Sequence, residues 1–368
     1  MTIDELQQKA KLLPSLPGIY MMRDSLGNII YVGKSKALKK RVSSYFGKTI
    51  KDEKHKMKRM VASIVSFDYQ ETDTELDALL LECKLIKELK PIYNSLLKND
   101  KRYRFIEINR EAELPRVNVA FEKGDVGEYF GPYDIPYRLN IGVEAINSYY
   151  KLPLCKKRVQ KKECLAYRMK RCIGPCQEEK AILIDYESRL QEAAHFLEGK
   201  DLEILTYYEE KMQMASERLE FEKAVQYREY IAVLKMLGYR KEAIGFSLDN
   251  RRGIALVKIP RGGFKLYLLR GTQIVYTRCF EEIAAPVQKE HKQILQKAIL
   301  EAGDKYFKQR LQSKKHLEKG EVDEAMITYY YLKTKRESCY EVIEENDYGK
   351  VQKRQINQFL NKAFKNFQ

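Results

Sequence analysis

Two short apolar runs, Gly18-Ile-Tyr-Met-Met22 and Ile29-Ile-Tyr-Val-Gly33, flank the turn-rich stretch Arg23-Asp-Ser-Leu-Gly-Asn28, a pattern that predicts a β-hairpin. A register symmetric about that loop sets Tyr20 opposite Tyr31, with both phenols on one face. A basic helix is expected from Ser35 to Phe46, then a second basic segment through Met60 and a strand near Ile64 to Gln70. Leu76, Leu79, Leu80, Cys83 and Ile86 recur at helical spacing behind Thr72-x-x-Glu75, which fits a capping box, and Pro91 stops that helix soon after Leu89. Strand-like alternation returns between Tyr103 and Tyr133, in RYRFIEI and RVNVAF, and ends in EYFGPY. From Glu178 to Leu237 Gly and Pro nearly vanish, which predicts two or three helices with at least one antiparallel pair. GIALVKI and GGFKLYLL, between Arg252 and Phe280, read as strands, and the remainder is helical and strongly charged. The fold class this implies is α+β, with small antiparallel sheets.

Composition narrows the function. With Lys+Arg 68 and Asp+Glu 52 in 368 residues the net charge is +16, and 44% hydrophobic with 33% charged residues suits two or three folded domains. No apolar run approaches the ~18 residues of a membrane span, and MTIDELQQKAKLL has no basic region followed by an apolar stretch, so a soluble cytoplasmic protein is expected. The positive charge is clustered: Gly33 to Met60 holds eleven Lys/Arg against two acids, and Lys151 to Cys172 nine against one. Asp201 to Leu234 reverses the balance, with eight acids against four bases. Clustered cations point to a polyanionic partner, nucleic acid first, because each one set at a phosphate releases a condensed counterion.

Of seven cysteines, Cys155, Cys164, Cys172 and Cys176 fall in a C-x8-C-x7-C-x3-C pattern among Lys and Arg. Four thiolates at such spacing suit tetrahedral zinc or an iron–sulfur cluster, although neither C-x2-C pair of a zinc ribbon is present.

The strongest constellation joins residues distant in sequence: Gly18-Ile19-Tyr20, Tyr31-Val32-Gly33-Lys34, Arg41 and Tyr45 on the basic helix, Glu82 on the capped helix, and Asn94 in Pro-Ile-Tyr-Asn. Phosphodiester hydrolysis needs a base for the attacking water, cations for the equatorial oxygens and stabilisation of the leaving oxyanion, and this set offers all three. A tyrosine titrates near 10, so a phenol acting as base needs neighbours such as Lys34 and Arg41 to favour its phenolate. Glu82 lies three residues after Leu79 and four before Ile86, at the edge of the apolar stripe, where a mostly hydrated divalent cation is a natural partner.

These residues resemble the signature of the GIY-YIG nucleases, with Val32 for the middle Ile. LPGIYMMRDSLGNIIYVGKSKALKKRVSSYF, ELDALLLECKLIKELKPIYNSLLKNDKRY, EYFGPY and RCIGPC look more closely like UvrC, the bacterial excinuclease subunit of nucleotide excision repair, from about Leu16 through Leu237. The resemblance implies Tyr31 as general base, Glu82 as the sole protein ligand of one Mg²⁺ or Mn²⁺, and Lys34, Arg41, Tyr20, Tyr45 and Asn94 positioning phosphate and water. It implies a 4Fe-4S cluster, ahead of zinc, on Cys155, Cys164, Cys172 and Cys176. DNA contacts are expected from Lys36, Lys39 and Lys40 and, beside the cysteines, from Lys156, Lys157 and Arg158. Lys211 to Leu234 resembles the UVR motif, a helical hairpin that pairs with a similar hairpin of UvrB, with Phe221 and Glu222 at its centre. As pure pattern, Met212, Ala215, Leu219, Phe221, Ala224, Val225 and Ile231 form one apolar face there.

The domain organisation this implies is a GIY-YIG nuclease domain at 1–98, a β-rich connector at 99–150, a Cys-cluster module at 151–180, a helical region at 181–240 with the UVR motif at 202–237, and a C-terminal region at 250–368. UvrC proteins continue with an RNase H-like nuclease domain and helix-hairpin-helix elements, whereas 118 residues follow Asn250 here and the strands near Ile254 and Leu266 carry no carboxylate. That region is therefore expected to lack a complete second nuclease, as in the short homologue Cho, which makes only the 3′ incision. The expected function is a metal-dependent endonuclease that cuts one strand of damaged DNA, on the 3′ side of a lesion, in concert with UvrB. The alternatives are a DNA- and UvrB-binding regulatory module with little nuclease activity and, more weakly, a redox sensor gated by the cysteine cluster.

Overall fold

A computed structural model of the chain describes residues 2–47, 55–94, 103–133, 136–153, 155, 164–281, 283, 289–307, 317, 319–343 and 353–367. The chain divides into two compact units, residues 1–100 with 243–368, and residues 101–242.

The first hundred residues form α1 (Ile3–Lys11), β1 (Gly18–Arg23), β2 (Ile29–Ser35), α2 (Leu38–Tyr45), α3 (His55–Ala62), β3 (Ser66–Glu71) and α4 (Glu75–Leu89). The strands make an antiparallel sheet in the order β2-β1-β3. Leu6 and Ala10 of α1, Leu38 and Val42 of α2 and Phe67 of β3 close over Tyr20 and Met22 to form its core. The hairpin register differs from the symmetric expectation. Tyr20 faces Gly33 and Met22 faces Tyr31, with an irregularity between Met22 and Arg23. The Arg23–Asn28 loop absorbs the slip, with Asp24 accepting hydrogen bonds from the Leu26 and Asn28 amides. A two-residue offset preserves side-chain parity, so the phenols still share a face, now diagonally. The cap of α4 also differs: Thr74 is the N-cap and Asp77 completes the box, not Thr72 and Glu75. Both pairs fit the pattern, but Glu75 faces inward and is committed elsewhere.

The second unit opens with β4 (Arg104–Ile108), β5 (Val117–Ala120) and β6 (Glu128–Tyr133), an antiparallel sheet in the order β5-β4-β6. The stretch read as a β-rich connector ends in a helix, α5 (Pro136–Tyr149). After the short α6 (Leu165–Arg168) come a 3-10 turn at Pro175–Gln177, α7 (Lys180–Leu197), α8 (Glu203–Glu217) and α9 (Phe221–Leu248). Tyr149, Tyr207, Tyr208, Tyr227 and Tyr230 pack ring to ring between α5, α8 and α9. Their hydroxyls are placed as burial demands: Tyr208 donates to the Ala145 carbonyl at 2.7 Å and Tyr230 to Glu144 at 2.7 Å.

The chain then returns to the first unit with β7 (Arg252–Lys258), β8 (Phe264–Arg270), β9 (Gln273–Phe280), α10 (Lys289–Tyr306), α11 (Lys319–Thr334), β10 (Ser338–Val342) and α12 (Lys353–Asn366). The sheet order is β10-β7-β8-β9, antiparallel throughout, and both faces of β7 and β8 are covered. On one face Ile254, Leu256, Leu266 and Leu268 meet Leu295 and Ile299 of α10 and Phe359 and Ala363 of α12. On the other, Ala255, Val257, Tyr267 and Leu269 meet Tyr331 and Leu332 of α11 and Leu76 of α4. Double coverage is why these strands read as unbroken apolar runs. Among the described residues no helix is long and apolar enough to cross a membrane.

Candidate active site

Strand β2 is a sheet edge, and its outward backbone groups recur every second residue at 30, 32 and 34. The Ile30 carbonyl accepts from Tyr93 N at 3.0 Å. Val32 N donates to Asn94 Oδ1 at 2.9 Å while Asn94 Nδ2 donates back to the Val32 carbonyl at 2.8 Å. Lys34 N donates to Glu82 Oε1 at 2.8 Å. One edge is thus sealed by the segment after α4 and by a carboxylate of α4, and that seal fixes Glu82 at Lys34, three residues along β2 from Tyr31. Asn94 is buried, and one donor and one acceptor of its amide are engaged with Val32, which ties it to β2.

On the face of β2 between those edge groups stand three tyrosines. Ring centroids are 6.2 Å apart for Tyr20 and Tyr31, 5.7 Å for Tyr20 and Tyr45, and 6.3 Å for Tyr31 and Tyr45. The Tyr20 and Tyr45 hydroxyls bond at 2.8 Å, Arg41 Nε donates to the Tyr20 hydroxyl at 3.3 Å, and the guanidinium lies 5.1 Å from the Tyr45 ring centre. Gly33 makes this possible: a Cβ there would overlap the Tyr20 hydroxyl and ring, so only glycine admits the phenol over the strand. Tyr20 and Tyr45 are buried, whereas Tyr31 is half-buried and accessible from outside.

The electrostatics run against the expected cationic activation of Tyr31. Burial, then Tyr45 and Glu82, push the Tyr31 phenol well above the usual tyrosine value, and Arg41 opposes them. Burial also raises Glu82, against the Lys34 amide and the charges of Lys34 and Arg41. For phenol and carboxylate alike, burial outweighs the cations nearby. The Lys34 ammonium does not face Tyr31: Nζ bonds Glu75 Oε1 at 2.6 Å. Glu75 is only 5% exposed and also meets Lys36 at 3.1 Å and Lys335 at 3.4 Å. Sequence reasoning placed Glu75 in a cap and so missed this role. The available signal was its spacing, seven residues or two turns before Glu82 on one helix face.

Other expected site residues are more dispersed. Lys39 and Lys40 are exposed on α2, and Lys36 is exposed but tied to Glu75 and Glu337. Lys156, Lys157 and Arg158 lie outside the described residues. Cys155, Cys164 and Cys176 are half-buried, Cys172 is buried, and all four are free thiols. Burial raises the Cys172 thiol, and the Gly174 amide, donating to its sulfur at 3.4 Å, opposes that rise. Among the described residues, however, no three His, Cys, Asp or Glu side chains are arranged to hold a metal. The apolar face expected on α8 and α9 divides. Ala215 and Ile231 are buried, whereas Leu219, Phe221 and Val225 are exposed at the tip of the hairpin, Phe221 by 65%. A cavity of about 820 Å³ opens beside Leu80, Lys84, Arg270 and Glu321, and none of the candidate residues lines it.

Residues 16–95 match the family model of a UvrC-like GIY-YIG domain, residues 103–196 that of the UvrC/Cho excinuclease middle domain, and residues 203–235 the UvrB/uvrC motif. UvrABC system protein C of Alkaliphilus oremlandii is 38% identical over 266 residues, 69% of this chain and 42% of that protein. The Acetivibrio thermocellus protein of the same name is 34% identical over 279 residues, 74% of this chain and 44% of its own. The chain thus spans less than half the length of these relatives. Among solved structures, the GIY-YIG N-terminal endonuclease domain of UvrC from Thermotoga maritima, bound to its catalytic magnesium, is 31% identical over 26% of this chain and 99% of that one, with a TM-score of 0.23.

Proposed function

We propose, for a chain that belongs to the UvrC-like excinuclease family over residues 16–235, that it is a metal-dependent endonuclease of nucleotide excision repair. It hydrolyses a phosphodiester on one strand of damaged DNA, on the 3′ side of the lesion, together with a UvrB-like partner. The observation that carries this reading is the meeting of Tyr31, Tyr20, Tyr45, Arg41, Lys34 and Glu82 around the sealed edge of β2. Glu82 suits a hard divalent ion held mainly by water. One of its oxygens accepts the Lys34 amide, and the other has no hydrogen-bond partner among the described residues. Mg²⁺ or Mn²⁺ bound there supplies Lewis-acid stabilisation of the leaving oxygen.

The chain's own residues do the rest. Tyr31, the one of the three phenols open to the outside, takes the proton of the attacking water. To accept that proton Tyr31 must first be its phenolate, which burial opposes and Arg41 favours; a cation held at Glu82 would favour it further, and the ring becomes a neutral phenol as the proton arrives. Tyr45 and Tyr20 carry the hydrogen bonding inward to Arg41, which holds the ring cluster in register. Lys34 offers its ammonium to the phosphate, and exposed Lys39 and Lys40 meet the backbone beyond it without reading sequence. The hairpin of α8 and α9 presents Leu219, Phe221 and Val225, with Glu222 beside them, to the partner's matching hairpin. Cys155, Cys164, Cys172 and Cys176 are proposed as ligands of a 4Fe-4S cluster once brought to a common centre, with zinc the alternative that iron and sulfide analysis of anaerobically purified protein excludes or admits.

Supercoiled plasmid carrying bulky lesions, incubated with the protein, a UvrB-like partner and Mg²⁺, is expected to become nicked, with Glu82→Ala inactive. No nicking by the wild type, or full activity in Glu82→Ala, overturns the endonuclease reading.

A further inference from the structure

Residues 243–368 lie outside the matched family segments, yet they belong to the same compact unit as the nuclease site and grip the helix that carries Glu82. The grip is polar at the start of α4. Tyr267 bonds Thr74 at 2.7 Å and donates to Asp77 at 3.0 Å, and Lys265 reaches Asp73 at 2.8 Å and Asp77 at 3.0 Å. It is apolar at Leu76, fully buried with Ala255, Val257, Tyr267 and Leu269. Farther along, Lys87 pairs with Asp323 at 3.1 Å. Between these lies Glu75, where one buried carboxylate meets Lys34 and Lys36 of the nuclease domain and Lys335 of the C-terminal region. Lys34 is thus bound at both ends by α4, its amide to Glu82 and its ammonium to Glu75.

We propose that Glu75 is a positioning residue that fixes the Lys34 ammonium, and that Lys335 of the C-terminal region shares Glu75 so that Lys34 can be released to a DNA phosphate. The proposal rests on the endonuclease reading of the same site. A buried carboxylate stripped of its only cation is strongly disfavoured. If Lys34 were that only cation, moving it to substrate would leave Glu75 unpaired. Lys335 and Lys36 remove that penalty, because the carboxylate stays ion-paired while Lys34 turns outward. Residues 243–368 therefore act on the site in cis, through the charge that Lys335 brings to Glu75.

Two readouts on the full chain test this. The first is the rate of Lys34 acylation by an N-hydroxysuccinimidyl acetate, followed by peptide mass spectrometry; the ester reacts with the neutral amine once Nζ leaves Glu75, so the rate reports release of Lys34 without any need for catalysis. Glu75→Gln is expected to speed Lys34 labelling about tenfold, the weight of one charge-assisted hydrogen bond. Lys335→Met is expected to slow it, because Glu75 is then shared by fewer cations. Arg261→Met, which removes an exposed ion pair with Glu71 at the same contact, is expected to leave it unchanged. The second readout is nicking: Glu75→Gln is expected to add no loss in a Lys34→Met background, whereas a merely structural role gives losses that multiply. Unchanged Lys34 labelling in Glu75→Gln, or multiplying losses, overturns the proposal. If Glu75→Gln does not fold, Lys335→Met decides alone, and labelling equal to that of Arg261→Met overturns it. A wild type that does not nick while labelling follows the expected order defeats the endonuclease reading and leaves the positioning role standing.

Discussion

Gly33, Tyr31 and Glu82 owe their chemistry to backbone geometry as much as to side-chain type. Gly33→Ala forces a methyl into the Tyr20 phenol, so it is expected to cost about 1–3 kcal/mol in thermal or denaturant unfolding and to suppress nicking out of proportion to that loss. Retention of wild-type nicking in Gly33→Ala would show that the Tyr20 position is immaterial. Glu75 offers a pH signature. Burial raises its carboxyl, but the bonds from Lys34 and Lys36 outweigh burial and hold it below the ordinary value. A carboxyl depressed by folding stabilises the fold above its unfolded pKa and loses that contribution as pH falls through its folded one. Thermal melts of wild type and Glu75→Gln are therefore expected to differ most near neutrality and to converge below about pH 4. A gap that stays constant with pH would show that the ion pairs contribute nothing. At this scale the sequence named the residues that the fold gathers around β2 but not the partners each one bonds. The symmetric Tyr20 to Tyr31 register does not form because the loop pairs asymmetrically, and a cap at Glu75 is indistinguishable by pattern because Thr72-x-x-Glu75 and Thr74-x-x-Asp77 both fit it.

Elements were legible wherever one period dominated. The β1–β2 hairpin, α4 and the helices after Glu178 followed from alternation or helical spacing, since each buries one face. β10 was missed because Ser338–Val342 has only five residues and pairs with β7, distant in sequence, so nothing local marks it. The α8–α9 face was read as continuous although its period breaks at the hairpin tip, where Leu219 takes a left-handed conformation at φ 59° and leaves Phe221 and Val225 outside. That exposure separates binding from stability. Phe221→Ala is expected to shift unfolding by less than about 0.5 kcal/mol and to weaken a UvrB-like hairpin at least about tenfold in calorimetric titration. Undiminished binding would place the partner elsewhere. Leu76→Ala, by contrast, opens a cavity where α4 meets the C-terminal sheet, and a loss of about 2–5 kcal/mol is expected in denaturant melts.

At the scale of the whole molecule, the sequence marked out the GIY-YIG-like segment, whose family model matches residues 16–95, and the acid-poor C-terminal strands, but not their association. Tyr267, Lys265 and Lys335 lie roughly two hundred residues or more from Thr74, Asp77 and Glu75, and no periodicity links them. That association joins residues 243–368 to a site whose chemical groups all lie between Tyr20 and Asn94. The claim on which the rest depends is that Tyr31 and Glu82 cooperate in breaking a DNA phosphodiester. Incision mapping on a 5′-end-labelled duplex bearing one bulky lesion, with a UvrB-like partner and with or without Mg²⁺, tests it most directly. The account predicts one metal-dependent cut on the 3′ side by the wild type and a loss of at least about a hundredfold in both Tyr31→Phe and Glu82→Gln. Incision without a divalent ion, or at the wild-type rate in either variant, would contradict it.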